Sequence, residues 1–120
     1  MLPSAILIAA RALIADDSRW CTEHLAVDDH GFDTGPNSLT ACRWDAIGAL
    51  EKIIRLHNMT STASPILKAY GYLLDASRWY RNTEVGGVVA INDYCGHDAM
   101  VAMFDAAIRE AEEEELAIAA

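Results

Sequence analysis

The sequence predicts a mainly α fold: four helices around one core, with a small β-hairpin or extended loop inserted after the first. Three observations carry this. Apolar residues recur at helical spacing in four separate stretches. Turn-type residues cluster between the first two stretches, beside a short run of β-formers. At 120 residues, of which 52% are hydrophobic, the chain can bury one core without disulfides or metals, so 1–120 reads as a single domain.

Pro3 suits a first helical turn, and Ile6, Ala10, Leu13 and Ile14 follow on one side with Arg11 opposite, giving a helix over about 4–15. Asp16, Asp17 and Ser18 compete for backbone hydrogen bonds and end it. Residues 20–35 carry β-formers up to Val27, the turn cluster Asp28-Asp29-His30-Gly31 and then Gly35-Pro36, which predicts the hairpin or loop.

Asn37 or Ser38 is positioned to cap a second helix over about 39–57. Its apolar side is Leu39, Ile47, Leu50, Ile53, Ile54 and His57, and its polar side Asp45, Glu51, Lys52 and Arg55. Gly48 within it points to the close approach of another backbone. Ser64-Pro65 starts a third helix over about 65–81, with Ile66, Leu67, Tyr70, Leu73 and Leu74 as its buried face.

Gly86-Gly87 followed by Val88, Val89 and Ile91 reads as a turn into a short buried extended segment, with a helical turn as the alternative, and residues 92–96 as a loop. His97 or Asp98 then caps a last helix over about 98–115 with Met100, Val101, Phe104, Ala107, Ile108 and Ala111 on its apolar face. Residues 116–120 are expected to fray. A faint echo relates residues 13–20 to 73–79, too short to define a repeat.

The formal net charge of −9 argues against direct binding to a nucleic-acid backbone or an anionic membrane, both of which require excess Lys and Arg. The charge is not spread evenly. Residues 15–34 hold six acids against Arg19, residues 98–120 hold seven against Arg109, and the middle is nearly neutral. The longest apolar run, Ala5 to Ala15, is broken by Arg11 and falls short of a membrane span. No basic residue precedes that run as a leader would require, so a cytoplasmic protein is expected. Three widely spaced cysteines form neither a disulfide framework nor a zinc pattern.

Three blocks resemble a family of short uncharacterised bacterial and phage proteins. They are Trp20 with Leu25-Ala26-Val27-Asp28-Asp29-His30-Gly31; Pro36 through Arg43-Trp44-Asp45-Ala46-Ile47-Gly48-Ala49-Leu50; and Val89-Ala90-Ile91-Asn92-Asp93 with Met103-Phe104-Asp105-Ala106-Ala107-Ile108. The chain departs from the pattern at Asp45, where relatives often carry cysteine, and at Ile91, where they often carry tryptophan. The departures count against thiol chemistry shared with relatives. The resemblance implies a shared fold and no activity.

The stretch Asn92-Asp93-Tyr94-Cys95-Gly96-His97-Asp98 gathers polar and nucleophilic residue types, where either a site or simple Asx-turn hydrogen bonding would place them. Cys95 and His97 are too near in sequence to face one another as nucleophile and base. Cys21, His24, Cys42, Cys95 and His97 are the residue types a metal would use, but only convergence from distant segments would make a site of them. All three tryptophans follow an arginine: Trp44 reads as core, while Trp20 is the better candidate for a binding surface.

Glu112, Glu113, Glu114 and Glu115 lie near a helix C-terminus, against the macrodipole. They are either a solvated end or part of a negative surface joined to the loop acids in imitation of nucleic-acid phosphate. No glycine-rich phosphate loop, paired ligand motif or nucleophile elbow is present. The expectation is therefore a small acidic non-enzymatic interaction or regulatory protein, of the kind phage and mobile elements encode. It would act on a protein partner, with no cofactor, no catalytic residue and no metal. Its binding candidates are Trp20, Asn92, Asp93 and Glu112 to Glu115. The alternative is a small enzyme or metal-binding protein built on residues 92–98. Homodimerisation stays open, because an apolar helix face and a dimer face read alike.

Overall fold

A computed structural model describes residues 1–60, 62–80 and 87–120, the side chains of Trp79 and Tyr80 excepted. Five helices occur among them: α1 (Pro3–Ile14), α2 (Ala46–Leu56), α3 (Ser64–Tyr80), α4 (Val88–Tyr94) and α5 (His97–Ala119). Three two-residue strands, β1 (Ala26–Val27), β2 (Asp33–Thr34) and β3 (Arg43–Trp44), form an antiparallel sheet in the order β2-β1-β3. Ala26 pairs with Thr34 on one side and with Trp44 on the other.

The first helix and the hairpin follow the sequence closely. Ile6, Ala10 and Ile14 are fully buried, and the Asp16 carboxylate accepts from the Ser18 N–H at 2.9 Å at the start of a 3-10 turn, Asp17–Arg19. At the hairpin tip the Asp28 side chain accepts from the N–H groups of His30 and Phe32.

The second helix begins seven residues later than expected. Asp45, not Asn37 or Ser38, is its cap, accepting from the Gly48 N–H at 2.6 Å. Residues 43–44 are taken by the sheet, because Trp44 buries its ring there and sends its indole N–H to the Pro36 carbonyl at 2.9 Å. Leu39, with no helix to carry it inward, is wholly exposed, and His57 beyond the helix end is exposed. Asp45 is buried rather than on the polar side.

On α3 the buried face is Ile66, Ala69, Tyr72, Leu73 and Ala76, whereas Leu67 and Leu74 are exposed, a rotation of the predicted stripe by one position. The expected end of this helix at residues 81–82, and the expected turn at residues 83–86, lie outside the described residues. The fifth helix is α4, where an extended segment and a loop were expected. Val88, Ile91 and Asn92 are buried at spacings of three and four, which is a helix face. The β-branched Val88, Val89 and Ile91 give the opposite hint over so short a run. Val89, falling between, is exposed.

The last helix is capped by Gly96 at φ 92° rather than by a side chain of His97 or Asp98. It continues to Ala119 through the residues expected to fray. Met100, Phe104, Ala107 and Ala111 are buried as predicted, with Met103 added. α5 lies antiparallel to α1: His97 meets Ile14, Arg11 pairs with Asp105 at 2.7 Å, and Ser4 meets Glu115. α3 packs along the other flank of α5, and α2 against α1, around one apolar core. No helix among the described residues is long and apolar enough to cross a membrane.

Candidate functional site

Of the residues singled out from sequence, Trp20, Asn92 and Asp93 meet, and the four glutamates lie elsewhere. Asn92 is completely buried on α4. Its Oδ1 accepts from the Trp20 indole N–H at 2.7 Å and from the Ala46 N–H at 3.1 Å, and its Nδ2 donates to the Cys21 carbonyl and to Asp93 Oδ1. A primary amide offers two donors and two acceptor positions, so this one is fully used. Asp93 Oδ1 also accepts from the Glu23 N–H at 3.0 Å and holds Glu23 at φ 70°. The cluster ties the segment after α1 and the start of α2 to α4.

Sequence reading missed Asp45, which belongs to this cluster. Burial pushes its carboxyl up to about 6, with Asp93 and Glu51 adding to the rise against the hydrogen bond from Gly48. Nearby, burial and then the charges of Asp45 and Asp93 push the Cys21 thiol up to about 12, so it stays protonated at neutral pH and is a poor nucleophile. The signal for Asp45 was an aspartate three residues before Gly48. A Cβ on Gly48 would sit 1.9 Å from the Leu25 carbonyl oxygen, the close backbone approach its position suggested.

The metal-type residues do not assemble. Cys21 Sγ donates to the His24 carbonyl at 3.4 Å, Cys42 Sγ lies 3.7 Å from the Val27 carbonyl, and His97 Nε2 bonds the Ile14 carbonyl at 2.8 Å. Cys95 packs against the core. Among the described residues no group of three His, Cys, Asp or Glu side chains is placed to hold a metal ion. Of the tryptophans, Trp44 is core, covered by the Arg19 guanidinium 5.6 Å from its ring, and Trp20 is half-buried against the His97 ring.

The glutamate run divides. Glu115 accepts from the Ser4 N–H at 3.0 Å and from the Ser4 hydroxyl, while Glu114 accepts from the Tyr72 hydroxyl and lies 4.0 Å from Lys68 Nζ. Glu112 and Glu113 are exposed. Glu115 meets the N-terminus of α1 and Glu114 lies near Leu2 and Pro3 there, whereas Asp16 and Asp17 follow its C-terminus. Twelve helical residues span about 18 Å, so Glu114 and Glu115 lie at the opposite end of α1 from Asp16 and Asp17.

Glu113, Glu114 and Glu115 border a crevice between α3 and α5. At one end it widens to about 450 Å³, lined by Leu2, Pro3, Pro65, Tyr72, Ile118 and Ala119, with Lys68, Glu114 and Glu115 at the rim. It continues past Gly71, Asp75 and Glu110, and then to Ala76, Arg109 and Glu113, in hollows of about 230 and 280 Å³ that share lining residues. Partial burial, then the charges of Asp75, Glu114 and Glu113, raise the Glu110 carboxyl above its usual range. Sequence reading found the acids but not Leu2, Lys68, Tyr72 and Ile118, which only the antiparallel packing of α3 on α5 brings together.

A model for a family of unknown function, DUF6197, matches residues 1–110, and the chain belongs to that family. No curated protein and no solved structure matches it. The Asn92 cluster lies wholly within the matched residues, and the α5 wall of the wide end of the crevice, from Glu114 to Ala119, lies beyond them.

Proposed function

We propose that this protein acts by binding a protein partner, without chemistry of its own, through the crevice between α3 and α5. The observation that carries this is the wide apolar end of the crevice. There Leu2 is 59% and Ile118 71% exposed, around a concave opening that Pro3, Pro65 and Tyr72 also line. Apolar side chains grouped around a concave opening, with a polar rim, are the usual character of a binding surface. The enzymatic alternative at residues 92–98 has less support: the Asn92 amide is spent on four internal hydrogen bonds, and the Cys21 thiol beside it is held protonated.

The test uses two variants that leave the core intact. Ile118→Lys places a charge at the apolar end, and Gly71→Gln fills the middle of the crevice, where a Cβ would meet nothing within 4 Å. Proteins captured from the native host by the wild-type chain are purified and their direct binding measured. A partner that binds wild type and loses about tenfold or more with either variant supports the proposal. If every reproducible partner ignores both variants, the proposal is wrong.

A further inference from the structure

The acids along the α3–α5 crevice are arranged at a cost to themselves. Asp75, Glu110, Glu113 and Glu114 border it, and among the described residues Lys68, Arg78 and Arg109 are the cations that answer them. Glu114 uses the Tyr72 hydroxyl, and its approach to Lys68 is a loose 4.0 Å. Glu110 has no ion pair among the described residues, and Asp75 reaches only Arg78, one turn along its own helix, at 3.7 Å. Like charges held together at a partly buried surface repel one another and are relieved by a cation brought from outside. The apolar end, contiguous with them through Lys68 and Tyr72, adds a place for an uncharged anchor.

Resting on the reading that this crevice docks a protein, we infer that its occupant is a basic amphipathic segment of the partner. An apolar side chain enters the wide end among Leu2, Pro65 and Ile118, and Lys or Arg side chains lie along Asp75, Glu110 and Glu113. The same charges disfavour a second copy of this chain, which would bring its own −9 to the face. A crevice running from Ser64 to Ala76 is about 18 Å long, the length of some 12 helical residues. Gly71 leaves room midway, since no side chain projects there.

The experiment measures fluorescence anisotropy with synthetic amphipathic peptides of about 14 residues, roughly 21 Å as helix. One carries Leu and Lys, one Leu and Glu, and one Ser and Lys. The Leu/Lys peptide is expected to bind, and to lose about tenfold with Ile118→Lys, with Gly71→Gln and with Glu110→Gln/Glu113→Gln. The other two peptides are expected to bind at least about tenfold more weakly than the Leu/Lys peptide. Asp28→Asn/Asp29→Asn, at the hairpin, is expected to change nothing, and melts confirm that each variant is folded.

If Leu/Glu binds as well as Leu/Lys and Gly71→Gln still blocks both, the crevice remains a docking surface but its preference for cations is refuted. Failure of Leu/Lys to bind, equal binding by Ser/Lys, or sensitivity to the hairpin variant equally overturns the inference. So does a dimer, seen by sedimentation, that Ile118→Lys dissociates, because the occupant is then a second copy. Insensitivity of peptide binding to Ile118→Lys and Gly71→Gln alike also removes the docking reading itself.

Discussion

The indole N–H of Trp20 donates to the Oδ1 of Asn92, 72 residues later, at 2.7 Å, and the same oxygen accepts from the first N–H of α2. One buried amide thus joins the exit of α1, the entry of α2 and the face of α4. Asn92→Ala would leave the Trp20 indole, the Ala46 N–H and the Cys21 carbonyl without this partner in a buried setting. We expect a loss of about 3 kcal/mol, read as a melting temperature lower by roughly 10 °C. Asn92→Asp should cost at least as much, because it removes both donors and sets a second carboxylate against Asp93. A melt within about 2 °C of wild type for either variant contradicts the role given to Asn92.

Asp45 makes stability depend on pH in a defined direction. Its carboxyl titrates at about 6 in the fold and at its ordinary value of 3.8 when unfolded, so the folded state holds the proton more tightly. Stability from this group is therefore greatest below about pH 4, falls as pH rises towards 6, and is constant above. Asn at this position still accepts from the Gly48 N–H and cannot ionise. The prediction is that Asp45→Asn gains stability relative to wild type as pH goes from 4 to 7. Paired denaturation curves at several pH values read this difference directly; a constant difference across the range contradicts it.

Two glycines in helices should respond oppositely to alanine. At Gly48 the new methyl would collide with the Leu25 carbonyl oxygen at 1.9 Å, a backbone atom that cannot swing aside, so Gly48→Ala should cost about 3 kcal/mol. At Gly71 nothing lies within 4 Å, and Gly71→Ala should stabilise by up to about 1 kcal/mol through helix propensity alone. Chemical denaturation distinguishes the signs.

α1 is capped at both ends by α5. Glu115 accepts from the Ser4 N–H at its start, where Leu2 supplies no side-chain cap, and His97 bonds the Ile14 carbonyl at its end. An acid near one helix's C-terminus, unfavourable for α5, is favourable beside the N-terminus of α1. Glu115→Ala should therefore cost about 1 kcal/mol and speed amide exchange at residues 112–119 and at the first turn of α1, leaving α2 unchanged. Equal exchange in both proteins argues against the cap.

The sequence by itself determined the apolar stripes of α1 and α5, the start of α3 at Ser64-Pro65, the turn at Asp28 to Gly31 and the tight approach at Gly48, because each depends on residues within a few positions of one another. It also located the acids. Only the tertiary structure decided that α2 begins at Asp45, that Val88 to Tyr94 is a helix, and that the glutamate run is half structural and half free. Those outcomes turn on partners far away in sequence: Trp44 claimed by a strand pairing with Ala26, Asn92 claimed by Trp20 and Ala46, Glu115 claimed by Ser4. The crevice belongs to the same class, since Leu2, Pro65 and Ile118 become neighbours only when α5 folds back antiparallel to both α1 and α3.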